Sequence, residues 1–513
     1  MIGSRIFRWL LVAATLLAVG LASAGAAAGT QPLPVTVLYF NDLHGHLQPF
    51  SVRTATGKAE VGGVARLAAV VKAVRRENDA RGAKTFLLVA GDMLQGTPLS
   101  TVFKGQADLE IYRRLGVDAM TVGNHEFDFG LDNFLSLQRK AAFPFLSANV
   151  RWKDSGRLLS RPFVRLPLTE GVDLTVVGVT TAELKTTTLP AHVARLSVTD
   201  PVDAVRRAAA EAGGRGPLLV LSHCRHATDR KIARALPQAT AIIGGHDQVL
   251  LSPYRRVGGV PIFQAFEKGR YLGRLDLQVD PITGRARMVG HRYITIDADI
   301  TPDGPVAAIV ADYDTRLGKR FKTVVGHAAV LLDAERERVR YQETTMGNFV
   351  TDLMRRYTGA EAALLNGGSL RASIDAGAVT LDDVFKAMPF ANEIVVVTLS
   401  GADLQAALTR SLQAPREDEF GGFLHLSGLW VVQKESQTPA ISVGPDRQPL
   451  DSRRRYRVAI TDFLAAGGDG YSVFKNQSST DTGLPLRELL VDAFRQGAPV
   501  SAVVEGRIRR VRR

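Results

Sequence analysis

The chain carries a single cysteine, Cys224, in 513 residues. No internal disulfide can form, so stability has to come from packed cores. Aromatic residues amount to 7%, with only 3 tryptophans, and they do not interleave with the basic residues. A nucleic-acid polymer is therefore not the expected partner, despite a formal net charge of +13; scattered arginines, and the basic tail Arg507, Arg509, Arg510, Arg512 and Arg513, read as a solvated charged face. Short-period repeats and low-complexity tracts are also missing, which excludes a fibre or solenoid. Past the N-terminus no stretch approaches the roughly 20 apolar residues of a membrane span. What remains is globular: 45% hydrophobic and 22% charged residues, in a chain too long for one ordinary domain and long enough for two.

At the N-terminus Arg5 and Arg8 precede an apolar run over 9–22 and a string of small residues over 23–28. This is the pattern of a secretory signal peptide over 1–28, cleaved after Ala24 or Ala28. The mature protein is expected to be exported, periplasmic or secreted, with no stable membrane span. Cys224 lies too far from that end for lipid attachment there.

From residue 33 to 300 short β-rich runs alternate with helical stretches. The pattern predicts strands over 35–40, 85–90, 119–122, 174–179, 218–222 and 240–243, and helices over 64–76, 108–115, 131–141 and 201–212. Alternation of this kind argues for a layered α/β domain. Pro302 and Gly304 then break the chain, and 306–317 reads as one helix within a linker over 301–322. A second α/β set over 323–513 has helices over 346–357, 381–387 and 402–411 and strands over 362–365, 394–399 and 455–460. Gly213-Gly214-Arg215-Gly216 precedes a strand instead of joining a strand to a helix, so it reads as a turn and not a phosphate loop.

Chemistry concentrates at the strand ends of the first domain: Asn41-Asp42-Leu43-His44, Gly91-Asp92, Gly123-Asn124-His125-Glu126-Phe127-Asp128, Ser222-His223 and Gly244-Gly245-His246-Asp247-Gln248. One such cluster is an ordinary turn; five at successive strand ends are hard to explain by capping. Carboxylate, imidazole and amide oxygen donors without thiolates suit Zn, Mn, Fe or Co. Two metals need a bridging carboxylate, and Asp92, alone after its strand, is the natural one. Such a pair lowers the pKa of bound water and neutralises charge on phosphoryl oxygens. His125, backed by Asp128, offers a proton to a leaving oxygen. Cys224 and His226 read as a buried thiol and an imidazole supporting the site.

These motifs resemble the calcineurin-like metallophosphoesterases, specifically the 5′-nucleotidase and UDP-sugar hydrolase branch, and the similarity runs on through Ser147-Ala148-Asn149 over nearly the whole mature chain. The resemblance implies a four-layer αββα phosphoesterase domain, a linking helix and a C-terminal α/β nucleotide-recognition domain. It implies two divalent metal ions, Zn, Mn or Co: one held by Asp42, His44, Asp92 and Gln248, the other by Asp92, Asn124, His223 and His246, with His125 and Asp128 as the catalytic dyad. Asp247 stands where the family commonly has serine or another small residue.

In the second domain three clusters stand out: Asn366-Gly367-Gly368-Ser369-Leu370-Arg371, Pro389-Phe390-Ala391-Asn392 and Phe463-Leu464-Ala465-Ala466-Gly467-Gly468-Asp469-Gly470. Glycines admit a ligand to the backbone, arginine grips phosphate or carboxylate, and two phenylalanines can sandwich a planar base. Together they describe a nucleoside pocket. They resemble the C-terminal domain of 5′-nucleotidases, with Phe390 and Phe463 as the base-stacking pair, Asp469 as ribose ligand, Asn366 and Asn392 in the same loops, and Arg336, Arg340 and Arg371 as substrate arginines. Ser369 replaces a glycine common in the family. The expected activity is removal of phosphate from nucleoside 5′-monophosphates, extending to di- and triphosphates or UDP-sugars. A 2′,3′-cyclic phosphodiesterase with 3′-nucleotidase activity is the alternative enzyme, hydrolysis of sulfur conjugates a more distant one, and a secreted nucleotide-binding protein the alternative without catalysis.

Overall fold

The structure is a computed structural model that describes residues 31–54, 57–414, 420–434 and 437–511. The signal segment 1–28 and the terminal Arg512 and Arg513 lie outside the described residues.

The first domain is built on two six-stranded sheets. In one, the order is Ala286–Thr295, Tyr271–Val279, Leu33–Phe40, Lys84–Val89, Ala119–Thr121 and Phe145–Leu146; in the other, Arg255–Val257, Val260–Phe263, Ala241–Gly244, Leu218–His223, Val172–Thr180 and Phe163–Thr169. Alternation along Leu33–Phe40 explains the layering, because successive side chains leave a strand on opposite faces. Val35, Val37 and Tyr39 meet Leu219, Leu221 and Ile243 between the sheets. Leu38 and Phe40 face the other way, into a core shared with the helices Val64–Asp79, Gln106–Leu115 and Leu131–Lys140. The second sheet is covered by Pro201–Ala212 and His226–Ala235. Helix, sheet, sheet and helix thus form four layers, as expected from the resemblance.

Parallel register does the rest. Phe40 pairs with Val89 and Ser222 with Gly244, so the strands that precede the polar clusters end level with one another. The clusters collect at one edge of the sandwich.

The helix expected as a linker spans Gly304–Leu317. Asp303 caps it by accepting from the Val306 amide, and Pro305 supplies a preset φ in the first turn. It is not a free connector. Val306, Val310, Tyr313 and Leu317 recur on one face and enter the first domain's helical core together with Phe321, each burial contributing about 1.5–3 kcal/mol. Phe321 then meets Phe385 of the second domain edge-on, 5.0 Å between ring centroids.

The second domain has a mixed five-stranded sheet in the order Leu424–Ser427, Ala362–Asn366, Arg455–Thr461, Glu393–Ser400 and Ser479–Pro485. Its two faces bury separate cores: Ala363, Leu365 and Val396 against the helices Thr345–Thr358 and Leu486–Arg495, and Leu364, Val397 and Val458 against Gly401–Gln413. Ile394 pairs with Thr461 in antiparallel register. The loop before one strand and the turn after the other, carrying Phe390 and Phe463, therefore emerge at the same edge. Among the described residues no helix is long and apolar enough to cross a membrane.

Candidate functional site

Asp92 is the hub of the strand-end edge. Its Oδ2 lies 3.1 Å from His223 Nε2, 3.8 Å from His44 Nε2 and 4.0 Å from His125 Nε2, while Oδ1 accepts from the His125 amide at 3.0 Å. The imidazoles are oriented from behind. Nδ1 of His44 donates to Leu94 O at 3.2 Å and Nδ1 of His223 to Ala90 O at 2.7 Å, which turns each Nε2 toward the centre. Asn124 is turned in the same manner: its amide nitrogen donates to Thr187 O at 3.1 Å, so Oδ1 faces the centre. That Oδ1 and Nε2 of His246 are buried with no hydrogen-bond partner. Asp42 accepts from the His246 amide at 3.0 Å and from Asn41 at 2.8 Å.

Two overlapping donor groups result, His44 with Asp92 and His125, and Asp92 with His223 and His246, the donor atoms of each within 4.8 Å of one another. Buried lone pairs without partners cost stability unless a ligand satisfies them, and nitrogen and oxygen donors sharing one carboxylate suit a pair of divalent ions. The residues fit the metals. Backbone conformation points the same way, since Asp42, His44, Asp92, His246 and Gln248 have φ of 49°, 49°, 54°, 74° and 58°, in the left-handed region that costs a non-glycine residue about 1–3 kcal/mol. Gly91, at φ 85°, has to be glycine for a steric reason as well, because a Cβ there would fall 2.3 Å from His223 Nδ1.

Gln248 differs from the expectation in detail. Its amide nitrogen, not its oxygen, faces His44 Nε2 (2.6 Å) and Asp42 Oδ1 (3.3 Å), and its oxygen accepts from Arg336. Half a turn of the terminal amide would present the oxygen to the centre. His125, grouped with one donor set by distance, has its other nitrogen engaged by Asp128 Oδ2 at 2.6 Å. Burial disfavours a charged ring there, but the carboxylates of Asp128 and Asp92 outweigh it and hold the imidazole above its ordinary pKa.

The second domain closes over this centre. Arg371 reaches His44 Nε2 at 3.3 Å, Arg336 also donates to Asp247 O at 2.9 Å, and the Phe390 ring stacks on His125 at 5.8 Å and 27°. Between the domains lies a cavity of about 260 Å³, lined from the first domain by Asp92, Asn124, His125 and His246 and from the second by Arg340, Asn366, Arg371, Phe390, Asn392, Phe463 and Asp469. Its polar residues are pre-set. Asn366 donates to Asp469 at 2.8 Å and is itself held by Ser369 at 2.6 Å, so the serine that replaces a glycine takes part in the site. Asn392 donates to Asp462 at 2.8 Å. Burial pushes the Asp469 carboxyl up to about 6, against the hydrogen bond from Asn366 and the charges of Arg340 and Arg225. Gly468 is glycine because a Cβ would meet the Phe463 ring at 2.4 Å.

The candidate metal, dyad and substrate residues gather here, whereas the His226 ring does not line the cavity and faces Arg230 and Arg255. Several others were not foreseen. Glu126 accepts from the amides of Asp92, Met93 and Gly123 at 3.0, 2.8 and 2.6 Å, tying two ligand loops together; it sat inside a quoted motif but nothing in its spacing distinguished it. Thr188, Leu189 and His192 line the cavity from a segment without a strand-end signal, and Arg225 lines it from just beyond the Ser222-His223 strand end. Arg225 pairs with Glu183 at 2.8 Å and lies 3.7 Å from Asp247, which gives the atypical Asp247 a partner. Cys224 is buried, and burial pushes its thiol well above the ordinary range.

Comparison with known proteins agrees with this geometry. Residues 35–250 match the calcineurin-like phosphoesterase family and 324–476 the 5′-nucleotidase C-terminal domain. The crystal structure of a 5′-nucleotidase precursor from Thermus thermophilus superposes with a TM-score of 0.85 at 30% identity, over 93% of this chain and 99% of that one. A snake venom 5′-nucleotidase from Crotalus adamanteus is 29% identical over 95% of this chain and 90% of its own. The trifunctional nucleotide phosphoesterase of Bacillus subtilis is 31% identical over 93% of this chain, which spans only 35% of that protein's length. Both domains, in this order and with this donor set, make the chain a metallophosphoesterase that belongs to the 5′-nucleotidase family.

Proposed function

We propose that the protein is an exported nucleotide phosphohydrolase that removes phosphate from nucleoside 5′-monophosphates and extends to di- and triphosphates or UDP-sugars. One observation supports this reading: a single cavity between the domains is lined by metal donors of the first and by two phenylalanines and a carboxylate of the second. A nucleoside 5′-monophosphate has the complementary layout, an anion joined through ribose to a planar base. Zn, Mn or Co ions held by Asp42, His44, Asp92, Asn124, His223, His246 and Gln248 would supply Lewis acidity at the phosphoryl group and activate the attacking water.

The chain's own residues do the rest. Arg371, Arg340 and Arg336 balance the charge of the phosphate. Asp469, held by Asn366, accepts from the ribose hydroxyls, and Phe390 and Phe463 stack on the base. His125, oriented through Nδ1 by Asp128, keeps Nε2 directed at the site and delivers a proton to the departing ribose oxygen. Export rests on the N-terminal pattern and would be read from the N-terminal residue of protein recovered outside the cytoplasm.

The test is phosphate release from a panel of nucleoside 5′-, 3′- and 2′,3′-cyclic phosphates, using protein reloaded separately with zinc, manganese and cobalt. Preference for 5′-monophosphates supports the reading. Preference for the cyclic or 3′ esters, or turnover blind to the base, sinks it.

A further inference from the structure

The helix Leu184–Thr187 and the residue after it gave no functional signal in the sequence, yet two consecutive residues there hold the reacting edge. Thr187 O accepts from Asn124 Nδ2 at 3.1 Å, and Thr188 Oγ donates to Asp128 Oδ1 at 3.1 Å. The two contacts fall on either side of His125. We propose that Thr188 is a positioning residue for leaving-group protonation: its hydroxyl fixes the Asp128 carboxylate and, through it, the plane of the His125 ring. This rests on the reading of His125 and Asp128 as the leaving-group dyad.

The local geometry explains why such a brace is needed. His125 and Asp128 sit on a 3₁₀ turn, His125–Phe127 with Asp128 following, where residues three apart eclipse and meet. That turn brings the carboxylate to the ring but does not set the carboxylate's own rotation, since the terminal torsion of aspartate is broad. Asp128 spends Oδ2 on His125 Nδ1 at 2.6 Å. A second bond on Oδ1 makes the carboxylate plane, and hence the ring it pairs with, a fixed direction. The donor is unambiguous, because the carboxylate can only accept. Thr188 is itself fixed: it is 3% exposed, Leu184 is anchored in the first domain's core, and the helix Leu184–Thr187 packs on the Gly468–Gly470 turn that carries Asp469. The brace therefore joins the dyad to the turn that faces the ribose.

Thr188→Val removes the donor while keeping the branched shape. Expected is a roughly 10-fold loss of kcat on AMP, the scale for removing a group that orients a reacting one, with KM, metal content and Tm unchanged. On p-nitrophenyl phosphate, whose leaving group needs no proton, turnover stays near that of the parent, and Thr188→Ser restores AMP turnover. Thr188→Ala repeats the comparison if the valine variant does not fold. Equal losses on the two esters, no loss on AMP, or loss of metal overturns the proposal. His125→Ala, run alongside, separates the two levels: if it discriminates between the esters and Thr188→Val does not, the brace alone falls; if it too affects both esters equally, the dyad reading falls and the brace with it.

Discussion

The guanidinium of Arg371, from the second domain, lies 3.3 Å from Nε2 of His44, a metal donor of the first. Burial and the neighbouring Arg336 both lower the Arg371 pKa, so positive charge converges on a centre suited to cations. Like charges about 4 Å apart repel by roughly 4 kcal/mol near a protein surface. An anion between arginine and metals would attract both, and in the proposed function that anion is the substrate phosphate. Arg371→Ala should therefore raise KM on AMP and on p-nitrophenyl phosphate alike, by roughly 10–100-fold, the equivalent of about 1.5–3 kcal/mol for hydrogen bonds to a charged group. Steady-state kinetics on the two esters decide it; an effect confined to AMP would move Arg371 away from the phosphate.

Metal removal should cost stability as well as activity. Asn124 Oδ1 and His246 Nε2 are buried without hydrogen-bond partners and five donor residues hold left-handed backbone, so chelated protein keeps those costs without the compensating bonds. Dialysis against a chelator is expected to abolish turnover and lower Tm, with both recovered on adding back zinc, manganese or cobalt. Asp92→Asn should behave like partial chelation, since a neutral amide cannot bridge two cations; a variant that retains two metals and parental turnover would remove Asp92 from the bridge.

Phe390→Ala and Phe463→Ala should separate nucleotide recognition from general phosphatase action. Stacking on a base contributes roughly 1–3 kcal/mol per contact, so kcat/KM on AMP should fall while p-nitrophenyl phosphate is hydrolysed nearly as before. Thermal unfolding has to accompany the kinetics, because truncating a packed phenylalanine can cost about 3–5 kcal/mol. Folded variants with full efficiency on AMP would refute the sandwich.

Stability should fall on mild acidification through His425. Its Nε2 donates to Val339 O at 2.8 Å, its Nδ1 is buried without a hydrogen-bond partner, and Gly347 packs so closely that a Cβ would lie 2.0 Å from that nitrogen. Burial lowers the pKa from 6.5 to about 4. The folded state thus prefers the neutral ring: its contribution is full above pH 6.5 and is lost as the pH falls toward 4, on the order of 2 kcal/mol between pH 7 and pH 5. Urea midpoints at the two pH values, compared with His425→Gln, test this; the variant should be less stable at pH 7 but less sensitive to acid. An identical pH response in both proteins would exclude His425.

How much of this was legible beforehand depended on locality. Strand-to-loop transitions such as Phe40 to Asp42 and Val89 to Asp92 are written in adjacent residues, so both the sandwich and its metal donors could be read from periodicity and position. Phe390 and Phe463 were readable as aromatics beside glycine-rich turns, though their convergence depends on the antiparallel pairing of Ile394 with Thr461. Glu126 and Thr188 were not readable, because their roles consist of bonds to the backbone of Met93 or the side chain of Asp128 across long stretches of chain. The Gly304–Leu317 helix is legible as a helix linking the domains, but its apolar stripe does not say which domain it packs on.

The burial of Cys224 makes the protein a ready background for site-specific labelling. Its thiol is 1% exposed and held well above the ordinary pKa by burial, and thiol reagents attack the accessible thiolate. Cysteines introduced at Val289 in one domain and Tyr357 in the other, 46% and 52% exposed, would take up a donor and acceptor dye without prior removal of the native residue. The separation of the domains could then be followed in single molecules while nucleotide binds and leaves.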